Sequence, residues 1–352
     1  MSGPAPVVAK ARLAVAELLS SLALKPADLV LVACSGGPDS LALAAVAAFV
    51  CPRFGLAVGA VVVDHGIDPQ SGLVAQRAAA TCQDLGLAPV RIVPVVVPTG
   101  SNLEARARSA RYAAFEQVLA ESAAKLVLLG HTMDDQAESV LLGLARGSGS
   151  QALAGMPVLR DRYARPLLGL RRQETAAICQ ALGLQPWQDP ANQLGGPYPS
   201  RRTEVRHRLM PELEQVLGPG LVPALARSAA ALALDNQLLD SLADALLDQV
   251  GGVSNGLAQV DCRILLDQTA AIRRRVLYKV ALRWGADPTS LGSSHVDALE
   301  KLVTNWHGQG PTMLPGGLSI ERVKTSLRIA SGPFTKTAAK ANQHPIPVSP
   351  NG

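Results

Sequence analysis

The first part of the chain alternates between two kinds of segment, and this alternation restricts the fold more than any other feature. Four short aliphatic runs have the composition of strands buried on both faces of a sheet: 28–34, 56–64, 89–98 and 125–131. Four Ala- and Leu-rich segments with helical spacing follow them: 39–50, 72–85, 103–123 and 133–145. Strands and helices that alternate over short linkers predict βαβ units. The expected fold class is therefore α/β, with a doubly wound, mostly parallel sheet.

The rest of the chain predicts a second domain. Helical patterns at 217–250, 264–285 and 294–306 precede a short β element at 318–330. The final stretch is small, polar and rich in proline, which is typical of disorder. We therefore predict three regions: a nucleotide-binding catalytic domain at 1–218, a smaller, mainly helical domain at 219–330 and a disordered tail at 331–352.

The composition bears on the possible partners, the redox compartment and membrane association of the protein. The 352 residues carry a net charge of +5, which permits a nucleic-acid partner without establishing one. Five scattered cysteines form no C-x-x-C pair, so no zinc site or dithiol is encoded locally, and the sparse count fits a reducing compartment. The N-terminus lacks a signal-peptide pattern, and the longest apolar run is too short to span a membrane. We expect a cytoplasmic protein with no membrane partner.

The segment SGGPDS at the end of the first predicted strand has the features of a phosphate-binding loop. Its members are Ser35, Gly36, Gly37, Pro38, Asp39 and Ser40. The glycines permit close approach of a ligand, and the proline suits the first position of a helix whose free N–H groups attract anions. The spacing matches neither a Walker A loop nor a dinucleotide fingerprint. The structural alternative is an ordinary strand–helix turn with Ser35 as its N-cap.

Carboxylates are concentrated where the helix after the fourth strand begins. Thr132 and Asp135 have the spacing of a capping box, which explains Asp135 but not Asp134. Asp134 and Glu138 are four residues apart and share a helical face. Like charges at that spacing favour a cation between them, either a metal ion or an ammonium group.

Basic residues occur in two further segments. Arg108 and Arg111 are three apart and can point the same way, although exposed arginines on a solvated face are the structural alternative. Arg201, Arg202 and Arg206 belong to a dense basic stretch that a helix could present to an RNA backbone.

These motifs, in this order, resemble the tRNA(Ile)-lysidine synthetases of the ATP pyrophosphatase, or PP-loop, superfamily. The similarity covers about residues 28–215 through the segments SGGPDS, VDHG, NLEARARSARY, HTMDDQAESVLLGLARGSG, RPLL, DPAN and RHRLMP. The chain departs from the family pattern at Thr132 and Met133, where the family often has a histidine or arginine. It also has Arg201-Arg202-Thr203 where an Arg-Asn pair is usual.

The resemblance implies a ligase that uses ATP and Mg²⁺. ATP adenylates the wobble cytidine of an isoleucine tRNA with anticodon CAU, and free L-lysine then displaces AMP. The product reads AUA instead of AUG. A homodimer is the family-level expectation for oligomeric state.

The resemblance also implies roles for the candidate residues. The SGGPDS loop binds ATP, with Asp39 serving the metal and His65 lining the adenine pocket. Lysine binding falls to Asp134 and Glu138, and tRNA binding to Arg201, Arg202 and Arg206. The catalytic set is Asp39, Asp134, Asp135, Arg108 and Arg111.

Three other functions fit parts of the sequence. A tRNA thiolation enzyme of the same superfamily would normally need paired cysteines, and no C-x-x-C motif is present. An ammonia-using amide synthetase would normally need a glutaminase partner or domain, and none is visible. A basic tRNA-binding protein with a decayed loop would not need the complete set of loop and helix carboxylates.

Overall fold

The computed structural model describes residues 3–98, 103–147, 149–190, 193–194, 200–254 and 257–331. The chain divides into two compact units, Met1–Ala233 and Leu234–Gly352. This division lies inside a long helix, whereas the sequence analysis placed the domain boundary between residues 218 and 219, just before that helix begins. Most of the tail that we predicted to be disordered, 332–352, lies outside the described residues.

The first unit contains the α/β fold that the alternating pattern predicts. Its strands are β1 (Leu29–Ala33), β2 (Ala57–Asp64), β3 (Val90–Pro94), β4 (Leu126–Leu129), β5 (Leu159–Arg160) and β6 (Tyr163–Ala164). Its helices are α1 (Pro6–Ser20), α2 (Pro38–Val50), α3 (Ser71–Asp84), α4 (Leu103–Ser122), α5 (Met133–Ala145), α6 (Ser150–Leu153), α7 (Arg172–Ala181), α8 (Arg201–Glu204) and α9 (Met210–Leu217). Short 3-10 helices at Cys51–Phe54 and Pro166–Gly169 and a π-helix at Val205–Leu209 complete the unit.

The sheet has the strand order β3-β2-β1-β4-β6-β5. All neighbours are parallel except β5, which runs antiparallel to β6. The strand order reverses beside β1, which pairs β2 on one side and β4 on the other. In open α/β sheets ligands bind beyond the carboxyl ends of the strands at this point. The residues that follow β1 and β4 therefore occupy the expected binding position.

Two hydrophobic clusters cover the two faces of this sheet. One joins α1, α2, α3 and α7 to the sheet around Val30, Val32 and Leu128, and the other packs α4 on Leu31, Val61 and Val127. The alternation of the strand side chains between these two clusters explains the uninterrupted aliphatic runs. β3 differs from our prediction of burial on both faces, because it is the edge strand and Ile92 is 42% exposed.

The second unit has its own core. The helix α10 (Leu221–Val250) leads into it, and α11 (Cys262–Leu266), α12 (Ala270–Arg283) and α13 (Ser293–Thr304) follow. Its strands are β7 (Gly251–Ser254), β8 (Leu257–Asp261), β9 (Thr312–Leu314), β10 (Leu318–Val323) and β11 (Ser326–Ser331), in the antiparallel order β7-β8-β11-β10-β9. Only the last two strands fall in the β element that we predicted. The others are short and lack a strong alternating pattern.

In the described part of the chain, no single helix is long and apolar enough to cross a membrane. The bent pair Arg201–Leu217 and Leu221–Val250 meets the length and composition requirement only when the two helices are taken together.

Candidate active site

The Ser35–Ser40 loop connects β1 to α2 in a compact turn that ends at a helix N-terminus. Gly36 has a φ of +80°, a conformation that side chains other than glycine rarely adopt. The Ser40 hydroxyl donates to the Gly37 carbonyl at 3.0 Å and accepts from the Ser35 N–H at 3.1 Å. Gly37 is the N-cap and Pro38 begins the helix, so the alternative with Ser35 as N-cap is wrong. The first turn of α2 thus directs its N–H groups beyond the carboxyl end of β1.

A second glycine lets β4 approach this loop closely. A Cβ atom at Gly130 would lie 2.9 Å from the Asp39 carbonyl oxygen and 3.1 Å from the Ser40 nitrogen. Real Cβ atoms essentially never come as close as 2.9 Å to another heavy atom. Gly130 therefore allows the residues after β4, including His131 and the start of α5, to lie directly beside the first turn of α2.

Asp39 is the carboxylate within the loop itself. Its Oδ1 accepts a hydrogen bond from the Thr175 hydroxyl on α7, and its Oδ2 lies 3.9 Å from Arg172 Nε. Burial raises the pKa of Asp39 to about 6, with the nearby Asp135 carboxylate adding to the rise, although Thr175 and Arg172 act in the opposite direction. This carboxyl group is therefore close to its titration point at neutral pH.

Helix α5 carries the three remaining acidic candidates, and arginines from other elements bind all of them. Glu138 is 1% exposed and accepts from Arg172 Nη2 at 3.0 Å and Arg206 Nε at 2.8 Å. Asp135 Oδ1 accepts from the same two arginines, at 2.9 Å and 3.3 Å. We predicted a metal ion or an ammonium group between Asp134 and Glu138, whereas in the structure arginine side chains bind these carboxylates, Arg171 at Asp134 and Arg172 and Arg206 at Glu138.

Asp135 also closes the first turn of α5. Its Oδ2 accepts from the Thr132 backbone N–H at 2.8 Å and from the Thr132 hydroxyl at 2.9 Å, the carboxylate half of the capping interaction that the sequence predicts. Burial would raise the pKa of Asp135, but Arg172, the Thr132 N–H, His131 and Arg206 outweigh burial and lower it. Asp135 therefore remains ionised at neutral pH.

Asp134 points to α7, where sequence reasoning assigned no site residue. It accepts from Arg171 Nε at 3.2 Å and from the Arg172 backbone N–H at 2.7 Å. The sequence analysis assigned no role to Arg171, Arg172 or Thr175. A cavity of about 90 Å³ opens here. Its lining includes Asp134, Glu138, Arg171, Arg172, Arg206, Met210, Glu214 and Val222.

The predicted RNA-binding arginines lie in different environments. Arg201 is exposed, and Arg202 donates to the Ser139 hydroxyl at 3.3 Å. Arg206 belongs to the π-helix Val205–Leu209, and both of its donor groups point to the α5 carboxylates. The sequence placed Arg206 towards an RNA backbone, whereas the structure places its guanidinium among the site carboxylates.

Arg108, Arg111 and His65 form a separate group. Arg108 Nη2 donates to the Tyr112 hydroxyl at 3.2 Å, and Arg111 Nη2 lies 3.2 Å from His65 Nε2. Burial, together with the neighbouring Arg111, lowers the pKa of His65 to about 4, against the effect of Asp64. His65 is therefore neutral at physiological pH, with Nε2 free to accept from Arg111.

The described residues do not contain a preformed metal cage, because no group of three or more His, Cys, Asp or Glu among them could hold an ion. Mg²⁺ is usually held by one or two carboxylates together with substrate phosphates. Asp39, which lies in the phosphate-binding turn and is mostly ionised at neutral pH, fits that requirement.

A phosphate-binding turn at the switch point of a parallel sheet, without a Walker lysine, defines the class of PP-loop ATP-binding proteins. The family model described as the PP-loop domain matches residues 9–213, more than half of the chain. All of the site residues predicted from the sequence lie in this interval.

The chain belongs, more narrowly, to the tRNA(Ile)-lysidine synthase family. It is 49% identical over 317 residues to the tRNA(Ile)-lysidine synthase of Thermobifida fusca, covering 90% of this chain and 95% of that protein. The tRNA(Ile)-lysidine synthase of Leifsonia xyli is 47% identical, covering 83% of this chain and 87% of that protein. The resemblance found in the motifs is thereby confirmed.

A solved structure supports the fold. The U34-tRNA thiolase NcsA from Methanococcus maripaludis superposes with a TM-score of 0.54 at 22% identity, covering 64% of this chain and 79% of that one. At this identity the similarity shows the fold alone. It confirms the predicted α/β class and does not favour thiolation.

Proposed function

We propose that this protein ligates free L-lysine to C2 of the wobble cytidine in an isoleucine tRNA with anticodon CAU. ATP is converted to AMP and pyrophosphate, and the product reads AUA instead of AUG. The observation that carries the proposal is the convergence of the Ser35–Ser40 loop and the α5 carboxylates at one edge of the sheet. The chain belongs to a family of ATP-dependent tRNA-modifying ligases, and we take the substrates from this family.

The first step transfers AMP to the cytidine. The O2 atom of the base attacks the α-phosphorus of ATP, and the bond to the β-phosphate oxygen breaks. N–H groups in the first turn of α2 stabilise the charge on the leaving pyrophosphate. Asp39 would hold Mg²⁺, which would neutralise charge on the phosphates. This chemistry does not transfer the γ-phosphate, which explains how the loop functions without a Walker lysine.

The second step needs a bound lysine. We assign its site to the cavity beside Asp134, where Met210 and Val222 can contact the methylene groups. Asp134 and Glu138 attract the ammonium groups, and Arg171 or Arg172 can pair with the carboxylate of the amino acid. The ε-amine then attacks C2 of the cytosine, AMP leaves, and the proton lost by the amine passes to a carboxylate or to water.

We assign the recognition of tRNA to the basic segment with Arg201 and Arg202 and to the second unit. We assign to Arg108 and Arg111 the binding of the phosphates or of the adenylated intermediate through their positive charge. His65, neutral and partly buried, is assigned to the edge of the adenine pocket. Mg²⁺, a homodimeric assembly and a cytoplasmic location all belong to this proposal as well.

The thiolation alternative has weaker physical support. All five cysteines are buried and free. A thiol that delivers sulfur must reach its substrate, and reactive cysteines occupy partly exposed sites. The alternative of a non-catalytic tRNA-binding protein leaves the arrangement of Asp39, Asp135 and Glu138 without a purpose.

The direct test measures pyrophosphate release and the modified nucleoside with isoleucine tRNA, in the presence and absence of lysine. We expect lysidine only when ATP, tRNA and lysine are all present. Product formation without lysine, or no release of pyrophosphate, would refute the function.

Replacing Asp134 tests the lysine site. Asp134→Asn should raise the KM for lysine about 10- to 100-fold, since a hydrogen bond to a charged group contributes about 1.5–3 kcal/mol. Asp161→Asn, at an exposed turn between β5 and β6, is the matched control and should behave like the unaltered protein. An unchanged KM in Asp134→Asn would place lysine elsewhere.

A further inference from the structure

Arg165 is a buried cation for which the described residues provide no anion. It follows β6 and is 3% exposed. Its Nη1 donates to the Pro157 carbonyl at 3.0 Å, its Nη2 donates to the Tyr112 hydroxyl at 3.3 Å, and its buried Nε has no partner. It forms no ion pair with any Asp or Glu in the described part of the chain. Because a buried charge without a counter-ion costs several kcal/mol, the site requires an anion.

A second guanidinium group converges on the same hydroxyl group. Arg108 Nη2 donates to the Tyr112 oxygen at 3.2 Å, and the guanidinium carbon lies 4.9 Å from the centre of the Tyr112 ring. The ring is held by edge contacts with Phe115 and Tyr163 at centroid distances of 5.7 Å and 4.9 Å. Two cations are thus fixed around one neutral acceptor, and no described carboxylate forms an ion pair with either of them.

The surroundings contain two further buried nitrogen atoms that have no hydrogen-bond partner among the described residues. His131, at the end of β4, has a buried Nδ1 without a partner, and burial followed by the charges of Arg165, Arg108 and Arg202 lowers its pKa to about 4, against the effect of Asp135. Arg202 has a buried Nε whose nearest carboxylate oxygen, on the exposed Glu104, is 3.9 Å away. Asp135, whose charge acts on His131, is already bound by Thr132 and two arginines.

We propose that Arg165 and Arg108, oriented by the shared Tyr112 hydroxyl group, bind one phosphate group during the modification reaction. β6 is parallel to β4 in the same sheet, so this pair lies at the carboxyl edge that also carries the Ser35–Ser40 loop. The inference rests on the proposed function for its substrates, which offer two sources of phosphate. One source is ATP or its adenylate, and the other is the tRNA backbone beside the cytidine. The planar forks of two arginines match phosphate oxygens in either case.

The test compares binding affinities of the full chain and its variants. Arg165→Gln removes the charge, Arg165→Lys keeps the charge without the fork, and Tyr112→Phe removes the orienting hydroxyl while keeping the ring contacts. Arg162→Gln is the matched control, an arginine three residues earlier that pairs with Glu116 and is 45% exposed. Affinity for isoleucine tRNA is measured over a range of salt concentrations, and affinity for α,β-methylene-ATP is measured in parallel. Thermal unfolding identifies any variant that fails to fold, in which case Tyr112→Phe carries the test.

If the bound phosphate belongs to the tRNA backbone, a specific pattern of affinities is expected. Arg165→Gln should weaken tRNA binding about 10-fold and reduce the salt dependence by about one ion, with the affinity for α,β-methylene-ATP unchanged. A phosphate from ATP predicts the reverse, with about 10-fold weaker binding of the analogue and an unchanged salt dependence. In both cases Arg165→Lys should be intermediate, and Tyr112→Phe should change the same affinity.

One result would overturn the proposal. It is overturned if folded Arg165→Gln and Tyr112→Phe match Arg162→Gln in both affinities and in salt dependence, since Arg165 would then be structural. These equilibrium measurements do not require turnover. Absence of lysidine formation by the unaltered protein would refute the proposed function without affecting them.

Discussion

Asp39 and Asp135 are neighbouring carboxylates that the same arginine contacts, yet their pKa values shift in opposite directions. Arg172 lies 2.9 Å from Asp135 but 3.9 Å from Asp39. Asp135 also accepts from a backbone N–H, whereas Asp39 accepts only from a hydroxyl group. The strength of the donors therefore decides which group remains ionised. Asp135 can hold cations permanently, and Asp39 can exchange its proton near neutral pH.

The raised pKa of Asp39 predicts a pH-dependent stability. The folded protein holds the proton up to about pH 6, whereas the unfolded chain releases it near 3.8, so stability falls as the pH rises through this window. Above pH 6 the free energy of unfolding is lower by about 2–3 kcal/mol than below pH 3.8, because one pKa unit corresponds to about 1.4 kcal/mol. Asp39→Asn should abolish activity. Between pH 5 and pH 7.5 the unaltered protein should lose about 1 kcal/mol in its free energy of unfolding relative to Asp39→Asn.

Urea unfolding of both proteins at the two pH values measures this difference. Asp84→Asn, at the exposed end of α3, controls for the loss of a surface carboxylate. A stability difference between Asp39→Asn and the unaltered protein that is the same at both pH values would contradict the prediction.

Gly130 provides a steric prediction. Gly130→Ala introduces a Cβ 2.9 Å from the Asp39 carbonyl oxygen, and backbone on both sides must shift to relieve the contact. We expect a loss of about 1–3 kcal/mol in the free energy of unfolding and a large decrease in pyrophosphate release. Gly169→Ala is the control, since an added Cβ there meets nothing within 4 Å. Unchanged unfolding and pyrophosphate release in Gly130→Ala would show that the two segments do not need this close approach.

At the scale of elements, the site is assembled from segments that are far apart in sequence. Helix α5 supplies the carboxylates, α7 supplies Arg171 and Arg172, and the π-helix Val205–Leu209 supplies Arg206. A π-helix is rare and shifts the register of the side chains that follow it. Here one member of a basic stretch, Arg206, faces the carboxylates, while Arg208 stays on the exposed side with Glu204.

Elements with local signals could be predicted from the sequence, and the pairing between elements could not. The aliphatic runs place β1, β2 and β4, and the spacing of Thr132 and Asp135 predicts the capped start of α5. Arg172 reaches Asp135 across 37 positions, and nothing in its immediate sequence specifies this pairing. The burial of β3 also depends on its position at the edge of the sheet, and the residues of β3 alone do not specify that position.

The two environments of the basic stretch allow an internally controlled double-mutant cycle. Glu138 and Arg206 are a buried pair at 2.8 Å, so Glu138→Gln and Arg206→Gln should show a coupling energy of about 1–3 kcal/mol in urea unfolding. Glu204 and Arg208 are an exposed i,i+4 pair at 3.2 Å, and the corresponding glutamine variants should couple by only about 0.3–0.5 kcal/mol. Equal coupling in the two cycles would mean that Arg206 spends most of its time away from Glu138.

At the scale of the whole molecule, the candidate nucleotide and lysine sites draw all of their residues from the first unit. The second unit has a separate core built around Leu265, Leu277 and Leu299. We therefore assign chemistry to the first unit and selection of the tRNA to the second.

This division predicts how ligands change hydrogen exchange. A ligand that binds only the folded state at 100 times its Kd stabilises that state by about 2.7 kcal/mol, and the gain appears in amides whose exchange requires unfolding of the unit that binds the ligand. α,β-Methylene-ATP should slow amide exchange around 29–50 and 126–145 and leave 257–331 unchanged. Isoleucine tRNA should in addition slow exchange within 257–331. Methionine tRNA, also with a CAU anticodon, is the discriminating control and should give less protection there. Nucleotide-induced protection throughout 257–331, or equal protection by the two tRNAs, would contradict the assignment of tRNA selection to the second unit.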